Sequence, residues 1–547
     1  MKNRIFFPIL LLTGLMPLHN LFVQYSTKIL RLPEYVVFWK DWLVGFLILV
    51  LISEIFGIIS RLGFFRLIKE NKLSIFLPLI LVVVLNILTV LSSFVFNPFN
   101  LRAFVSGYYF ELWWLDFFAV LMTWLNLYLY EVITNTTLRT KIEGYADSSK
   151  FDELFNSKTE KLTSSSFFSK QNLLTPNSNG SSIQSDNNNF KLLKKQFWIF
   201  RNIICIGFLI TAAVSIASLY FGQAEVLGSY GYANNTESAG LVGNSLVCHL
   251  IDYNVDGCRL SGTMSHPIHY AAYLLLVLPV LIIGFIDAKN KFSKIAFLSM
   301  TILNMFLIFQ TYSRYALLSL PLLLLLLSIY ILRKRLFGFE AFFAKFLVLI
   351  CLVLPIFVSL IFVNIRSENL PLFLPKSITK PSSTIWHYYH FFAGVKTLEA
   401  LGSKSITGVG MGQSGSAART KYQDLQKNTL YTQYGKIAYD WNLTEESFLL
   451  VENWYMQAIL NNGWIYAVIY ILVTMIPLAA FWKFLLGKNS SKYVLEMIFG
   501  LGFFAVIIGN QLEHLWENQT VVIFWVLIYF YSKIWGVVSK KVKTVFE

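Results

Sequence analysis

The sequence predicts an all-α integral membrane protein of about twelve transmembrane helices, with both termini cytoplasmic and a large, partly helical external loop between helices nine and ten. Three observations carry that expectation. Hydrophobic residues fill 56% of the 547 positions and mean hydropathy is +0.58, more apolar surface than a soluble fold can hide behind a polar exterior. The apolar residues come in runs of about 17–25, the length a helix needs to cross the hydrocarbon core. Lysine and arginine then mark alternate loops, as the positive-inside rule requires of one face.

Taken in order, residues 1–134 hold four such runs, at 5–22, 42–60, 73–94 and 108–132. No small-residue cleavage site follows the first, so it reads as a helix rather than a signal peptide. Residues 135–196 are rich in Ser, Asn and Lys with few apolar anchors, and burial there cannot offset ordering entropy. That stretch is expected to be a disordered cytoplasmic linker. Residues 197–364 carry five runs, at 197–220, 267–286, 295–312, 315–332 and 346–364. Residues 365–447 are the polar external loop, expected to be ordered because Trp386, Tyr388, Tyr389, Phe391, Phe392 and Trp441 supply aromatic surface to pack. Residues 448–547 close the chain with runs at 463–485, 493–509 and 521–538 and a cytoplasmic tail.

The clusters Lys2/Arg4, Arg61/Arg66/Lys69/Lys72, Lys289/Lys291/Lys294, Arg333/Lys334/Arg335, Lys488/Lys492 and Lys540/Lys541/Lys543 all fall on one side of a twelve-helix count, the cytoplasmic side. The net charge of +15 is therefore a topology signal. It gives no ground for nucleic-acid binding, since no basic stripe with interleaved aromatics sits on a soluble domain. Of the four cysteines, Cys205 and Cys351 lie in apolar runs as small hydrophobes, whereas Cys248 and Cys258 share an external loop where a disulfide fits an oxidising compartment.

The chain lacks a phosphate-binding glycine loop with its lysine, a paired CxxC, an HExxH, and an extramembrane Asp-x-Asp to hold a metal against a sugar nucleotide. Any transfer reaction then needs a substrate already activated outside, where nucleotides are absent, and a lipid-linked diphosphate sugar meets that need. No cofactor and no metal are expected. Arg259, at the mouth of the sixth helix, and Arg314, in the turn between the seventh and eighth, are permanently charged forks that match phosphate oxygens. Snorkelling to headgroups is the plainer role for either alone.

Four stretches together resemble the O-antigen ligase and polymerase superfamily of bacterial envelopes. They are Arg259 with Gly262 and Pro267; Thr311, Ser313 and Arg314; the glycine-rich Gly408-Val409-Gly410-Met411-Gly412; and Asn453, nine residues, Gly463, two more, Tyr466. The likeness covers roughly residues 259–529. It implies a metal-independent inverting glycosyltransferase of the GT-C type, multi-pass in the bacterial cytoplasmic membrane, with its active site facing outward. The donor would be an undecaprenyl-diphosphate-linked glycan and the acceptor a glycan or lipid. By the same resemblance Arg259 and Arg314 engage the diphosphate. Glu452 stands where the ligases carry a His that assists the acceptor, a departure that favours the polymerase over the ligase. As a carboxylate ionised at neutral pH, Glu452 suits proton acceptance from a sugar hydroxyl; an acid favouring a helix N-terminus is its structural alternative.

Further candidates are substrate contacts by His266, Asn453, His387 and Arg419. His266 and His269 are expected not to share a helix face and so to form no metal pair. His387 and His390 fit aromatic packing better than metal binding, and Glu513, His514 and Glu517 have only local spacing. Glu111 and Asp116, acids near the outer end of the fourth run, are costly in a membrane and their role is open. Two other classes stay in view. A flippase for a lipid-linked sugar predicts inverted repeats and broken helices in both halves, and a non-enzymatic assembly subunit would leave Arg259, Arg314 and Glu452 apart in space.

Overall fold

With no water in a bilayer core, each backbone N–H and C=O must be paired within its own segment, so a chain this apolar folds as helix. The computed structural model describes residues 3–70, 72–97, 99–146, 179–234, 246–252, 255–313, 315–317, 319–320, 394–395, 397–399, 401–414, 453–478, 499–500, 502–507, 509 and 518–546. Among these, nine helices are long and apolar enough to span a membrane: Arg4–Ile29, Glu34–Leu62, Leu73–Phe96, Trp113–Val132, Leu192–Phe221, Pro267–Asp287, Lys291–Gln310, Trp454–Leu478 and Gln519–Gly536. The protein is a polytopic membrane protein of mainly helical fold.

The elements used below are α1 (Asn3–Leu15), α2 (His19–Gln24), α3 (Trp39–Leu62), α4 (Leu77–Val90), α5 (Leu101–Glu111), α6 (Trp113–Ala146), α7 (Asn179–Phe221), β1 (His249–Asp252), β2 (Val255–Arg259), α8 (Pro267–Asp287), α9 (Lys291–Gln310), α10 (Trp454–Met475) and α11 (Gln519–Phe546). α8 is buried on nearly every side and pairs with α9; α11 packs against α6, α7 and α8. α3 and α4 lean on α6, and α1 on α7. The outer faces of α3, α4 and α9 present Leu49, Phe56, Ile80 and Phe306 to the surroundings, as a lipid-facing surface should.

Lipid tails are as apolar as leucine, so close packing and interhelical hydrogen bonds must hold such helices together. Ser215 and Tyr270 share a 2.7 Å bond between α7 and α8, and Asn304 Nδ2 donates to the Leu274 carbonyl from α9 to α8. The Trp114 and Trp525 rings meet edge to face at 6.1 Å between α6 and α11, a geometry adding about 0.5–1.5 kcal/mol beyond buried area.

Several boundaries differ from those read in the sequence. The run at 108–132 is two helices: Leu112 N–H closes α5 on the Tyr108 carbonyl and α6 starts at Trp113. Hydropathy is too even across the junction to show the break. α6 runs on to Ala146 and α7 begins at Asn179, so both ends of the stretch expected to be a disordered linker are helical; residues 147–178 lie outside the described residues. The run read from 463 begins at Trp454, and Gly463 (φ 87°, ψ 175°) is a kink inside it. β1 and β2 form an antiparallel hairpin in a fold expected to be all helical, and Cys248–Cys258 is a disulfide across it. The runs at 315–332 and 346–364, most of 493–509, and most of the loop 365–447 with its six aromatics lie outside the described residues.

Candidate functional site

One end of the bundle gathers the polar groups. There the C-termini of α7 and α9 meet the N-termini of α8 and α11. Gln223 Nε2 donates to Ser261 Oγ and to the Arg259 carbonyl, Thr263 Oγ1 to the Pro17 carbonyl, and Asn518 Nδ2 to Ser265 Oγ.

The hairpin delivers Arg259. Its antiparallel register sets His249 opposite Arg259, and the disulfide one step along locks that register. Arg259 Nε donates to the Thr311 carbonyl at 3.1 Å, and Leu260 N–H to the Gln310 carbonyl at 3.0 Å. Thr311 ends α9, and its Oγ1 accepts from Ser313 N–H at 3.2 Å, shaping the turn that leads towards position 314. Two stretches singled out separately in the sequence thus touch.

Beside Arg259 stand three imidazoles. His266 is the N-cap of α8, its Nδ1 accepting from Ile268 N–H at 3.3 Å. His249 lies against it with ring centroids 4.3 Å apart and donates from Nε2 to the Ser265 carbonyl. His269 Nδ1 accepts from Asn518 Nδ2 at 2.9 Å and lies 3.0 Å from Ser265 Oγ. The expectation that His266 and His269 face apart is corrected: they are three residues apart, and their centroids are 5.7 Å from each other because one is the cap and the other sits in the first turn. Burial, then electrostatic repulsion from His249, His269 and Arg259, holds the His266 imidazole well below its usual range, so it stays neutral. Among the described residues no three His, Cys, Asp or Glu side chains are set to hold a metal ion.

The other two stretches also interlock. The kink at Gly463 frees carbonyls in the preceding turn of α10 from helical pairing, and the glycine strip supplies the missing donors. Val409 N–H donates to the Leu460 carbonyl at 2.9 Å and Gly410 N–H to the Asn461 carbonyl at 2.8 Å. Close approach demands glycine here. A Cβ on Gly107 of α5 would lie 2.5 Å from Gly412 N, and Gly412 itself has φ +76°. From the end of α4, Ser93 Oγ accepts from Met411 N–H, while Asn97 Nδ2 donates to the Gly408 carbonyl.

Behind the strip sits Glu111, 1% exposed. Its Oε1 accepts from Gln457 Nε2 at 3.2 Å and from Asn461 Nδ2, both buried on one face of α10. Asn461 Oδ1 in turn accepts from Ser414 N–H at 2.8 Å. Gln519 joins the two halves of the site, its Nε2 donating to the Tyr109 carbonyl at 2.7 Å, next to Asn518 on one side and two residues from Glu111 on the other.

Of the residues expected from sequence, Arg259 and His266 come together. Asn453 is the N-cap of α10, its Oδ1 accepting from Met456 N–H at 3.0 Å, so that oxygen serves the helix. Glu452, Arg314, His387 and Arg419 lie outside the described residues, as do His390, Glu513, His514 and Glu517. Asp116 accepts from Asn86 Nδ2 at 2.9 Å and from the Tyr108 hydroxyl, a local network apart from the imidazoles. His249, Asn518, Gln457 and Asn461 escaped the sequence reading; the i, i+4 amide pair inside an apolar helix was the one available signal. No protein-family model, curated protein or solved structure matches the chain.

Proposed function

We propose that the protein is a bacterial cytoplasmic-membrane glycosyltransferase that polymerises polysaccharide repeat units from an undecaprenyl-diphosphate-linked donor, with this polar end facing outward. The Arg259–Thr311 bond carries the reading, because it ties the fork expected on one side of a diphosphate to the stretch bearing the other, Arg314. An Arg aimed by its Nε, beside the His266 imidazole kept neutral, makes a fixed cationic locus that favours a departing diphosphate over bound water.

In the proposed step an acceptor hydroxyl oxygen attacks the anomeric carbon and forms the new glycosidic bond. The carbon–oxygen bond to the diphosphate breaks, and its electron pair leaves with the lipid diphosphate. The hydroxyl proton passes to a carboxylate, the role expected of Glu452. Metal independence follows in this reading from cationic side chains replacing a divalent ion at the leaving group.

The kink at Gly463 is a feature a flippase would also use, through unwound carbonyls that coordinate an ion or substrate. Here the Leu460 and Asn461 carbonyls are taken by the glycine strip, which favours transferase over flippase. Purified protein in nanodiscs is to be incubated with a lipid-linked repeat unit alone. Chains that lengthen support the polymerase; transfer only when a separate lipid or protein acceptor is added supports the ligase; no transfer in either case overturns the reading.

A further inference from the structure

At the end of the bundle away from Arg259, cations gather where the N-termini of α7 and α9 lie. Residues 192–202 and 287–297 hold Lys194, Lys195, Arg201, Lys289, Lys291 and Lys294 against one acid, Asp287. Arg201 differs from the lysines in depth. It lies nine residues inside the span Leu192–Phe221, about 13 Å along the axis at a rise of about 1.5 Å per residue. A permanently charged group at that depth is costly unless something meets it.

Within the protein, aromatic rings meet it more than anions do. The Arg201 guanidinium carbon stands 4.1 Å from the Trp198 ring centroid and 4.8 Å from that of Phe297, so a cation ties α7 to α9. Phe297 is seated from behind on Gly284 of α8, where a Cβ would strike the ring. The fork has five N–H donors. Among the described residues it makes one hydrogen bond, from Nη2 to Asn202 Oδ1 at 3.4 Å, and its Nε has no partner. Asp287 attracts Arg201, yet no described ion pair joins the two, and Asp287 Oδ2 accepts from Trp535 Nε1 at 3.2 Å.

Helix register sets further cations around this contact. Lys194 and Trp198 lie seven and three residues before Arg201, so all three share one face of α7, and Lys294 lies one turn outward of Phe297 on α9. Lys194 is half-buried and Lys294 exposed. Beside Lys294, the side chains of Phe292, Ile295, Leu298 and Ile302 present an exposed apolar strip along α9. We propose that this face of α7 and α9 binds an anionic phospholipid, with Arg201, Lys194 and Lys294 meeting its phosphate and the α9 strip its acyl chains. A guanidinium fork matches phosphate oxygens, and a surface with this excess of cations favours an anionic headgroup over a zwitterionic one, whose own ammonium it repels. In the orientation proposed above, this end lies in the cytoplasmic leaflet, whose anionic lipids attract basic segments. The site is separate from the transfer step and does not rest on it.

The test is native mass spectrometry of the full-length protein in detergent, titrated separately with dioleoyl phosphatidylglycerol and dioleoyl phosphatidylcholine. Phosphatidylglycerol is expected to bind at least about fivefold more tightly, the worth of one cation at an anionic surface. Arg201→Gln is expected to weaken phosphatidylglycerol binding roughly fivefold and leave phosphatidylcholine binding unchanged, and the double variant Lys194→Gln/Lys294→Gln to act in the same direction. Should gel filtration show Arg201→Gln unfolded, the double variant decides, because it keeps the contacts of Arg201 with both rings. Equal binding of the two lipids, or a preference for phosphatidylglycerol undiminished in the folded variants, overturns the site. sn-Glycerol 3-phosphate without lipid is the soluble arm: binding as tight as that of phosphatidylglycerol and lost in the same variants assigns the face to a free phosphate and overturns the lipid, whereas much weaker binding supports it. No transfer is measured, so these outcomes leave the transferase reading to its own assay.

Discussion

Glu111 accepts a hydrogen bond from Asn461, 350 positions further along the chain, and the same asparagine accepts from Ser414 N–H. One amide therefore binds α5, the kinked α10 and the glycine strip into a single unit. Its donor end is turned to the carboxylate and its acceptor end to the backbone, an orientation that cannot be reversed without losing both bonds.

Replacing Asn461 with Leu removes both bonds in a buried place: Ser414 N–H loses its side-chain acceptor, and Glu111 Oε1 keeps Gln457 Nε2 as a donor but loses Asn461. Each orphaned polar group costs about 1–3 kcal/mol, so a marked fall in apparent Tm in detergent, read by tryptophan fluorescence, is expected. Asn461→Asp should behave differently with pH. Two facing carboxylates share a proton, which raises a folded-state pKa above its unfolded value. Stability of that variant is then present at low pH and lost as pH rises, so its Tm should be higher at pH 5 than at pH 8; the opposite slope would remove the contact from the account.

Glycine substitutions separate backbone strain from close packing. Gly402 has φ +55° with open space around it, and Gly463 has φ +87° with the Ile406 carbonyl where a Cβ would go. Gly402→Ala should cost only the left-handed penalty of about 1–2 kcal/mol, whereas Gly463→Ala adds a backbone clash and should lower Tm several times as far. Equal effects in the two variants would mean that the strip does not pack against the kink.

Arg259 divides charge from shape. Arg259→Ala removes the cation and is expected to lower transfer at least about a hundredfold, the scale for losing one preorganised donor at a developing negative charge. Arg259→Lys keeps the charge without the fork, and its activity should fall between the two. Both proteins should remain monodisperse, because the hairpin is still held by its disulfide and by Leu260 N–H on the Gln310 carbonyl. Full transfer by Arg259→Ala would contradict the proposed function.

The helices were legible because spanning a bilayer needs length and hydropathy, both readable locally. The nearness of Arg259 to Thr311 was half legible: each stretch was marked by its own residues, while their contact depends on a hairpin that hydropathy does not report. Glu111 stood out as an expensive acid, yet its partners Gln457 and Asn461 lie some hundreds of residues away and no local pattern names them. Gly463 was read as a helix start because a helix-breaking residue looks alike at a terminus and at a kink. Only the bonds from Val409 and Gly410 to the carbonyls before it tell the two apart.

His266 provides a pH test whose sign is fixed by its surroundings. Burial, followed by electrostatic repulsion from His249, His269 and Arg259, depresses its folded-state pKa below the unfolded value near 6.5. Below pH 6.5 the unfolded chain therefore binds a proton that the folded chain refuses, and stability falls as pH falls, by at most about 1.4 kcal/mol per pH unit for one such group. Above pH 7 this contribution is complete and flat. His266→Asn preserves an N-cap acceptor for Ile268 N–H while deleting the titrating ring. Its apparent Tm should decline less than wild type between pH 7 and pH 5 and match the wild-type slope between pH 7 and pH 8. If both proteins lose stability in parallel on acidification, the acid sensitivity belongs to other groups, and the neutral imidazole beside Arg259 must be abandoned as part of the site's electrostatics.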